Sequence, residues 1–572
     1  MTKATLSDPA INEGVHSLSA SPEAKDDNTR LRRRQFTQDR FGIFVHFGIS
    51  SILEGWWKGE CFEGLSEWIM YGRKIPLKEY QKLADQFEMS RFDAEAWVKA
   101  FAATGARYMV YVAKHHDGFA MFHSHVSDFN IVDATPFGRD PLKELSEACA
   151  RHDIRLGVYY SHVIDWEHPH AWGPQMNDWD FSPEEADFDT YWREKALPQI
   201  EELCTQYGDL GVFWFDMPAG LSDAHAEEAA ALVRRLQPGA VINSRIGVGN
   251  SDFDYVSTDD NYPSNLLPSR DWEMCATMNT SWGWKRGDDD WKSASNHLYT
   301  LAHTVSRNGN YLLNVGPMPD GSIPSRAIEI LNDLAEYKQA IDITIHGAKP
   351  SSFKQTFPWG VTTQNECRLF LHVFDRTLKS ITLPGKPLAI KSVIDLLSNE
   401  MIERQNQLTE IPLPPVNHND EMPRIVAVEL EDELAPLDQI QQVHSESLHL
   451  DIWQASITDN AIIWKFIINE PGIYRVDLIS KDSNNTQDMK WHGNGLEAKI
   501  NIDEQLSAFT INPGQLEYAP LYHFWHYHRH QVSEARFMES GEHTVAIYDL
   551  PITDDKWAVG RLNLVRAEVV PE

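Results

Sequence analysis

The chain has 572 residues, of which 42% are hydrophobic and 24% are charged, and its formal net charge is −33. This length exceeds what one hydrophobic core supports, so two to four domains are expected. The excess of acidic residues argues against nucleic acids and anionic membranes as partners, because Arg32-Arg33-Arg34 is the largest basic cluster.

Cysteine spacing and hydropathy narrow the class further. The 5 cysteines form no CxxC pair, so neither a disulfide scaffold nor a zinc ribbon is expected. No apolar run reaches membrane-spanning length. Residues 1–35 are polar and lack the hydrophobic segment of a secretory signal, so we expect a polar N-terminal arm and, by default, a cytoplasmic protein. A periplasmic or secreted location is the alternative if a leader has been removed.

Strand-like and helix-like segments alternate from Arg40 onward. The strand candidates are Gly42–Phe47, Ala106–Ala113, Ile154–Tyr160, Leu210–Phe215, Ala240–Ser244, Tyr255–Thr258, Ala276–Asn279 and Tyr311–Val315. The helix candidates are Ala94–Thr104, Pro141–His152, Phe188–Gln206, Ala224–Leu236 and Ile328–Ala340. Eight strands alternating with helices predict an α/β fold, a (β/α)8 TIM-like barrel over residues 36–346. A doubly wound sheet is the alternative, but no glycine-rich phosphate-binding turn follows the first strand.

Short strands separated by Pro, Gly and Asn turns replace the amphipathic helices after His346. Residues 347–435 are predicted to form a β-sandwich, and residues 436–572 a second, jelly-roll-like all-β domain. The aromatic residues of the second domain suit carbohydrate binding or, alternatively, fill its core or its interface with the barrel. They are Trp453, Trp491, Trp525 and the cluster 522–528.

The apolar run 212–215 ends in Asp216, followed by Met217-Pro218. A continuous hydrophobic run is typical of a buried parallel strand, and catalytic residues of a (β/α)8 barrel lie at the C-terminal strand ends. Asp216 is therefore a candidate catalytic carboxylate, and a carboxylate that caps the next turn is the alternative. Polar groups follow most of the other strand candidates as well, which capping alone does not explain. They are His46, the run 114–119, the run 159–162, Asn243, Arg245, the run 258–260 and the run 281–284.

Histidine, tryptophan and carboxylate on one rim are what a sugar-cleaving pocket requires. Hydrolysis of a glycoside with retention needs two carboxyl groups about 5–5.5 Å apart, one as nucleophile and one as acid/base. Asp216 near Arg245 is expected to stay ionised. Its partner must come from another loop, and the spacing leaves Asp259, Asp260 and Glu273 as candidates.

The runs His115-His116-Asp117 and His168-Pro169-His170 also raise the possibility of a zinc or iron site. Adjacent residues on a strand point to opposite faces, so His115 and His116 are not expected to share one ion. No HExxH motif is present. We therefore predict no metal and no other cofactor, and we expect these histidines to bond substrate hydroxyls or to lie in the core.

Seven motifs stand in order along residues 40–317, and they cover residues 40–48, 114–119, 214–216, 243–245, 272–275, 281–284 and 309–317. No single motif is decisive, but the ordered set resembles the α-L-fucosidases of glycoside hydrolase family 29. The resemblance implies a retaining exo-hydrolase that removes terminal α-L-fucosyl residues from oligosaccharides or glycans through a covalent glycosyl-enzyme.

The resemblance also implies roles for individual residues. Asp216 corresponds to the nucleophile, and Asp260 is the favoured acid/base, with Glu273 as the runner-up. The residues implied to bind the sugar are His46, Glu67, Trp68, His115, His116, Tyr159, Trp214, Arg245 and Trp282. Met217-Pro218 stands where glycine is commoner after the nucleophile, which leaves the outer shape of the pocket and the linkage specificity open.

Two other functions compete with this interpretation. One is a glycosidase for a related sugar, such as an α-L-galactoside or a β-D-galactoside. The other is a lectin-like protein that binds fucosylated glycan without cleaving it, which is disfavoured because both carboxylate positions are filled. A fucosylated oligosaccharide or polysaccharide is the expected partner. The sequence does not indicate an oligomeric state.

Overall fold

The computed structural model describes most of the chain from residue 26 to residue 566. The described residues are 26–172, 177–218, 220–247, 252–258, 260–261, 270–353, 355–385, 388–403, 410–416, 421–437, 439–442, 447–458, 460–483, 495–512, 515–517, 525–534, 536–550 and 557–566. Asp259 and Trp491 lie outside the described residues, as do most of the first 35.

Eight parallel strands form one sheet in the first part of the chain. They are β1 (Phe41–Val45), β2 (Tyr108–Lys114), β3 (Arg155–Ser161), β4 (Val212–Asp216), β5 (Val241–Ile242), β6 (Val256–Ser257), β7 (Trp272–Thr277) and β8 (Gly309–Val315). The strand order is β5-β4-β3-β2-β1-β8-β7-β6. A parallel bridge between Asn243 and Tyr255 joins the two edge strands, so the sheet closes on itself. The predicted TIM-like barrel is confirmed.

Helices follow the strands as the amphipathic pattern predicts. Those of the first part are Asp27–Asp39, Ala94–Ala103, Pro141–Arg151, Leu197–Gln206, Asp223–Leu236 and Ser325–Glu336. Side-chain caps fix several N-termini, because Asp93, Asp140 and Ser222 each accept a backbone N–H three residues later. Shorter helical segments are Ile69–Gly72, Leu77–Gln81 and Phe188–Tyr191, and a two-stranded hairpin pairs Trp56–Trp57 with Glu60–Cys61.

Two local expectations differ from the structure. The seventh strand begins at Trp272, four residues before the predicted start at Ala276, so Glu273 lies inside a buried strand. Ionisable residues are uncommon within strands, and for this reason the sequence pattern placed the predicted strand after Glu273. The last ten residues of the predicted arm belong largely to the helix Asp27–Asp39, whose Arg32 is buried and pairs with Asp254 at 2.9 Å.

The chain divides into two compact units. The first holds the described residues up to 261, 270–293 and 308–338, and the second holds 294–307 and the described residues from 339 onward. The second unit contains the helix Ala294–Val305 and sheets of five, two, six and six strands, which are antiparallel except where Ile440–Gln441 pairs parallel with Ala461–Ile468. The division into residues 36–346, 347–435 and 436–572 stays a prediction.

The strands of the second unit differ in burial, since Leu448–Asp451 and Glu497–Ile502 alternate buried with more exposed residues, whereas Arg368–Val373 and Arg424–Leu430 are buried almost throughout. They are Gly360–Asn365, Arg368–Val373, Ser380–Thr382, Ile390–Asp395, Glu400–Met401, Glu410–Pro412, Arg424–Leu430, Ile440–Gln441, Leu448–Asp451, Ser456–Thr458, Ala461–Ile468, Gly472–Ser483, Glu497–Ile502, Gln505–Thr510, Gln515–Glu517, Trp525–Gln531, Arg536–Met538, Gly541–Tyr548 and Trp557–Arg566. Their apolar residues form two separate cores, one within residues 353–437 and one within residues 440–564. Within the described ranges, no helix has both the length and the hydropathy to cross a membrane.

Candidate active site

The predicted site residues gather at the C-terminal ends of the barrel strands. Asp216 is the last residue of β4, and Tyr159 lies near the end of β3. His46 follows β1 directly, and His115 and His116 follow β2. Parallel strands in a closed barrel bring these ends to one rim, which is where the known (β/α)8 enzymes carry their active sites.

The Asp216 carboxylate is held by two hydrogen bonds and has a histidine beside it. Its Oδ1 accepts a hydrogen bond from Arg245 at 3.0 Å, and its Oδ2 accepts one from the Tyr159 hydroxyl at 2.8 Å. His116 Nε2 lies 3.8 Å from the same Oδ2. Burial raises the pKa of Asp216, but the charge of Arg245 and the hydrogen bonds from Arg245 and Tyr159 outweigh it and lower the pKa below its ordinary value. The carboxylate is therefore ionised at neutral pH.

Arg245 joins Asp216 to Asp260. The guanidinium donates through Nη1 to Asp216 Oδ1 and through Nη2 to Asp260 Oδ1, the latter at 2.6 Å. Nη2 also donates to the carbonyl of Thr258 at 2.9 Å, and the guanidinium lies 4.8 Å from the centre of the Trp214 ring. The rigid fork of arginine thus fixes two carboxylates on the two sides of one cation.

Glu273 occupies a different place from Asp260. It is fully buried, whereas the Asp260 side chain is 45% exposed. Glu273 Oε2 accepts from the Tyr108 hydroxyl at 2.6 Å, and Oε1 accepts from Trp214 Nε1 at 2.9 Å and from the Tyr255 hydroxyl at 3.2 Å. Burial raises the pKa of Glu273 to about 7. Both oxygens therefore accept from groups of the barrel interior, and Oε1 holds the Trp214 indole in place.

The His46 ring has a defined tautomer. Asn314 donates its amide to the Trp282 carbonyl at 2.7 Å, so its Oδ1 accepts the proton of His46 Nδ1, also at 2.7 Å. Burial lowers the pKa of His46 to about 4, and the ring is neutral at pH 7. Its Nε2 is consequently a hydrogen-bond acceptor, and the ring lies 4.9 Å from that of Trp282.

His116 is oriented in the same manner. The Ser161 hydroxyl donates to the Ile164 carbonyl at 2.8 Å, so it accepts from His116 Nδ1 at 2.7 Å and leaves Nε2 as an acceptor. Burial lowers the pKa of His116 to about 4. His115 stacks on Tyr159 at 5.5 Å between ring centres.

The rings of His115 and His116 lie only 4.2 Å apart, contrary to the expectation that they point to opposite faces. That expectation assumed a continuing strand, but β2 ends at Lys114 and the chain turns through Gly118. Metal binding does not follow from this proximity. Within the described residues, no group of three or more histidine, cysteine or carboxylate side chains is placed to hold a metal ion.

Glu67 and Trp68 form another wall of the site. Glu67 Oε2 accepts from the Gly283 amide at 2.9 Å, and burial raises its pKa to about 7. Its other oxygen, Oε1, is buried and has no hydrogen-bond partner among the described residues. The Trp68 ring lies 4.9 Å from that of His116. Together these contacts leave one acceptor of Glu67 available to a ligand.

A buried ionic cluster supports the segment that carries His115 and His116. Lys114 and Lys195 each place Nζ 2.9 Å from Asp165 Oδ2, and Lys195 also pairs with Glu167 at 2.7 Å. Burial lowers the pKa of Lys114 to about 8. Lys195 additionally donates to the Gly118 carbonyl at 3.4 Å, so the cluster fixes the turn itself.

Gly118→Ala is expected to lower the free energy of unfolding by about 2–4 kcal/mol and to raise KM. Gly118 has φ +79, and an added Cβ would overlap the Asp165 carboxylate and lie 2.7 Å from Glu167 Cβ. The turn must then shift together with His116. Denaturant unfolding and steady-state kinetics measure the two effects.

The matched control is Gly59→Ala, at φ +85, where an added Cβ meets no atom within 4 Å. This variant should lose only the free energy of placing an alanine in the left-handed backbone conformation, about 1–2 kcal/mol, and its KM should be unchanged. Equal losses of stability in the two variants, with unchanged KM in both, would show that the ionic cluster does not restrict the turn.

The sequence did not identify several residues that orient or support the site histidines. Asn314 and Ser161, which set the tautomers of His46 and His116, lie within motifs that drew attention for other residues. Asp165 and Lys195 come from distant segments, and only the structure brings them together. Met217 has φ 51, a left-handed conformation that favours glycine, which accounts for the commoner glycine after the nucleophile.

The chain is similar to known α-L-fucosidases. A model of the family described as α-L-fucosidase matches residues 10–341. Plasma α-L-fucosidase of Homo sapiens is 33% identical over 309 residues, which are 50% of this chain and 63% of that protein. The chain thus spans less than two thirds of this relative's length.

Two solved structures extend the similarity. A crystal structure of α-L-fucosidase from Vibrio sp. strain EJY3 is 31% identical, with a TM-score of 0.86 over 94% of this chain and 98% of that one. An α-L-fucosidase from Lactobacillus casei, in complex with its α-L-fucose product, is 37% identical with a TM-score of 0.51, over 55% of this chain and 99% of that one.

Proposed function

The chain belongs to the α-L-fucosidase family, and from this we propose that it is a retaining exo-glycosidase that hydrolyses terminal α-L-fucosyl residues of oligosaccharides or glycans. One observation carries the proposal. An ionised carboxylate at the end of β4 and an exposed carboxylate after β6 are bonded to the same guanidinium, that of Arg245. Two carboxyl groups close together on one rim are the machinery of retention.

Asp216 is the nucleophile of the first step. Its ionised carboxylate attacks the anomeric carbon, the bond to the leaving oxygen breaks, and Asp260 gives its proton to that oxygen. The product is a glycosyl-enzyme ester on Asp216. Tyr159 and Arg245 hold the attacking carboxylate in one orientation, which lowers the entropic cost of reaching the transition state.

Asp260 acts as the base of the second step. It takes a proton from a water molecule, which attacks the anomeric carbon and releases Asp216 with overall retention. Esterification removes the charge of Asp216, so Asp260 is then the carboxylate of the two that still forms an ion pair with Arg245. Asp260 is better suited to this role than Glu273, whose oxygens face the barrel interior.

The neighbouring side chains fit the recognition of a sugar. His46 and His116 each present a neutral Nε2 acceptor, and Glu67 Oε1 adds a third acceptor for donated hydroxyls. Trp68 and Trp282 supply apolar surface of the kind that packs on pyranose C–H groups and a methyl substituent.

A panel of aryl glycosides tests the proposal on the wild-type protein. We expect release of the aryl group from α-L-fucoside with α-L-fucose as the first product, observed by NMR before mutarotation. Release from an α-L-galactoside or β-D-galactoside, without release from the α-L-fucoside, would favour the related-sugar alternative. Binding of fucose with no release from any substrate would favour a lectin-like protein.

A further inference from the structure

We propose that Cys275 is a positioning residue for the acid/base, its thiol holding one oxygen of the Asp260 carboxyl so that the other oxygen is left to carry the proton. The inference rests on the proposed function of Asp260. Cys275 lies in β7, is 1% exposed, and places Sγ 3.7 Å from Asp260 Oδ1, within hydrogen-bonding range for sulfur.

Both hydrogen bonds that the Asp260 carboxyl makes with described residues end on Oδ1. One comes from Arg245 Nη2 at 2.6 Å and the other from the Cys275 thiol. Burial, with a smaller contribution from the Asp260 charge, raises the pKa of the thiol well above its ordinary value, so it remains protonated and donates. Two donors on Oδ1 make Oδ2 the oxygen available for proton transfer.

The segment that carries Asp260 is attached to the same strand. Asn261 adopts a left-handed conformation with φ 59, and its amide donates to the Cys275 carbonyl at 2.9 Å. Its Oδ1 accepts from the Thr277 amide at 2.7 Å. Cys275 therefore contacts this segment twice, through its backbone carbonyl and through its thiol.

The thiol contact has consequences that packing alone does not predict. The Asp260 side chain is partly exposed to solvent, so its orientation depends on the hydrogen-bond donors that hold it. Without the thiol, the carboxyl samples more orientations, and proton delivery to the leaving oxygen becomes less efficient.

The test compares the wild type with Cys275→Ala and Cys275→Ser on two α-L-fucosides. One has an activated leaving group, 2,4-dinitrophenol, and the other a poor one, methanol. In Cys275→Ala we expect kcat/KM for the methyl fucoside to fall about tenfold and that for the dinitrophenyl fucoside to change less than about threefold.

Cys275→Ser keeps a donor and should recover most of the methyl fucoside activity, which also guards against a misfolded alanine variant. Cys204→Ala is the matched control, since this buried cysteine lies in the helix Leu197–Gln206 and should leave both substrates unaffected. Equal losses on both substrates, no loss at all, or a serine variant no more active on the methyl fucoside than the alanine variant would overturn the inference. If the wild type cleaves neither substrate, the proposed function itself fails, a result distinct from either.

Discussion

Asp216→Ala is expected to abolish turnover, with kcat for aryl α-L-fucosides falling by about 10⁴-fold or more. The variant lacks the atom that bonds the anomeric carbon, and Tyr159 and Arg245 cannot take that place because both donate hydrogen bonds to it. Added azide should restore part of the activity by entering the space that the carboxylate leaves. Its attack comes from the face used by Asp216 and gives β-L-fucosyl azide, a product of inverted configuration, which NMR identifies.

Asp216→Asn is the matched control for the rescue. It preserves the side-chain volume, so azide finds no space and should restore nothing, although the variant is also inactive without azide. Rescue of both variants, or an azide product with retained configuration, would contradict a nucleophilic role for Asp216. The unfolding midpoints of both variants should be compared with the wild type, because removal of a buried charge beside Arg245 changes stability as well as chemistry.

The barrel could be predicted from the sequence because most of its strands are runs of apolar residues that end in polar ones. The stretch 212–216 is the clearest case, with four fully buried residues before Asp216. Strands without that contrast were harder to bound. β7 contains Glu273, and an acidic residue in a sequence is more typical of a loop than of a buried strand. The closed sheet brings Tyr108, Trp214 and Tyr255 to Glu273, and their hydrogen bonds allow it to be buried.

The candidate site could be predicted as a set of residues but not as a hydrogen-bond network. His46 and Asn314 are 268 residues apart, and Arg32 and Asp254 are 222 apart, so only the fold reveals their contacts. The contacts that Arg245 and Cys275 make with Asp260 join residues only 15 apart in the chain, but each joins different strand ends, so they too require the fold. Sequence patterns report local periodicity, and they carry no information on which strand ends meet.

Asp260→Ala is expected to separate substrates by their leaving groups. For a methyl α-L-fucoside, kcat should fall by about 10²–10⁴-fold, because the leaving oxygen needs a proton. For a 2,4-dinitrophenyl fucoside the first step needs little protonation, and its rate should fall by less than about tenfold. Steady-state and burst kinetics on both substrates measure the difference.

Glu273→Gln is the informative comparison, because Glu273 is the other carboxylate considered for this role. The amide keeps the shape of the side chain and can still accept from Trp214 Nε1. We therefore expect kcat for both substrates to fall by the same modest factor. Burial already raises the pKa of Glu273 to about 7, and a neutral amide resembles its protonated form. If Glu273→Gln instead affected only the methyl fucoside while Asp260→Ala affected both substrates alike, the proton donor would be Glu273, acting through a conformation in which it leaves Tyr108 and faces the pocket.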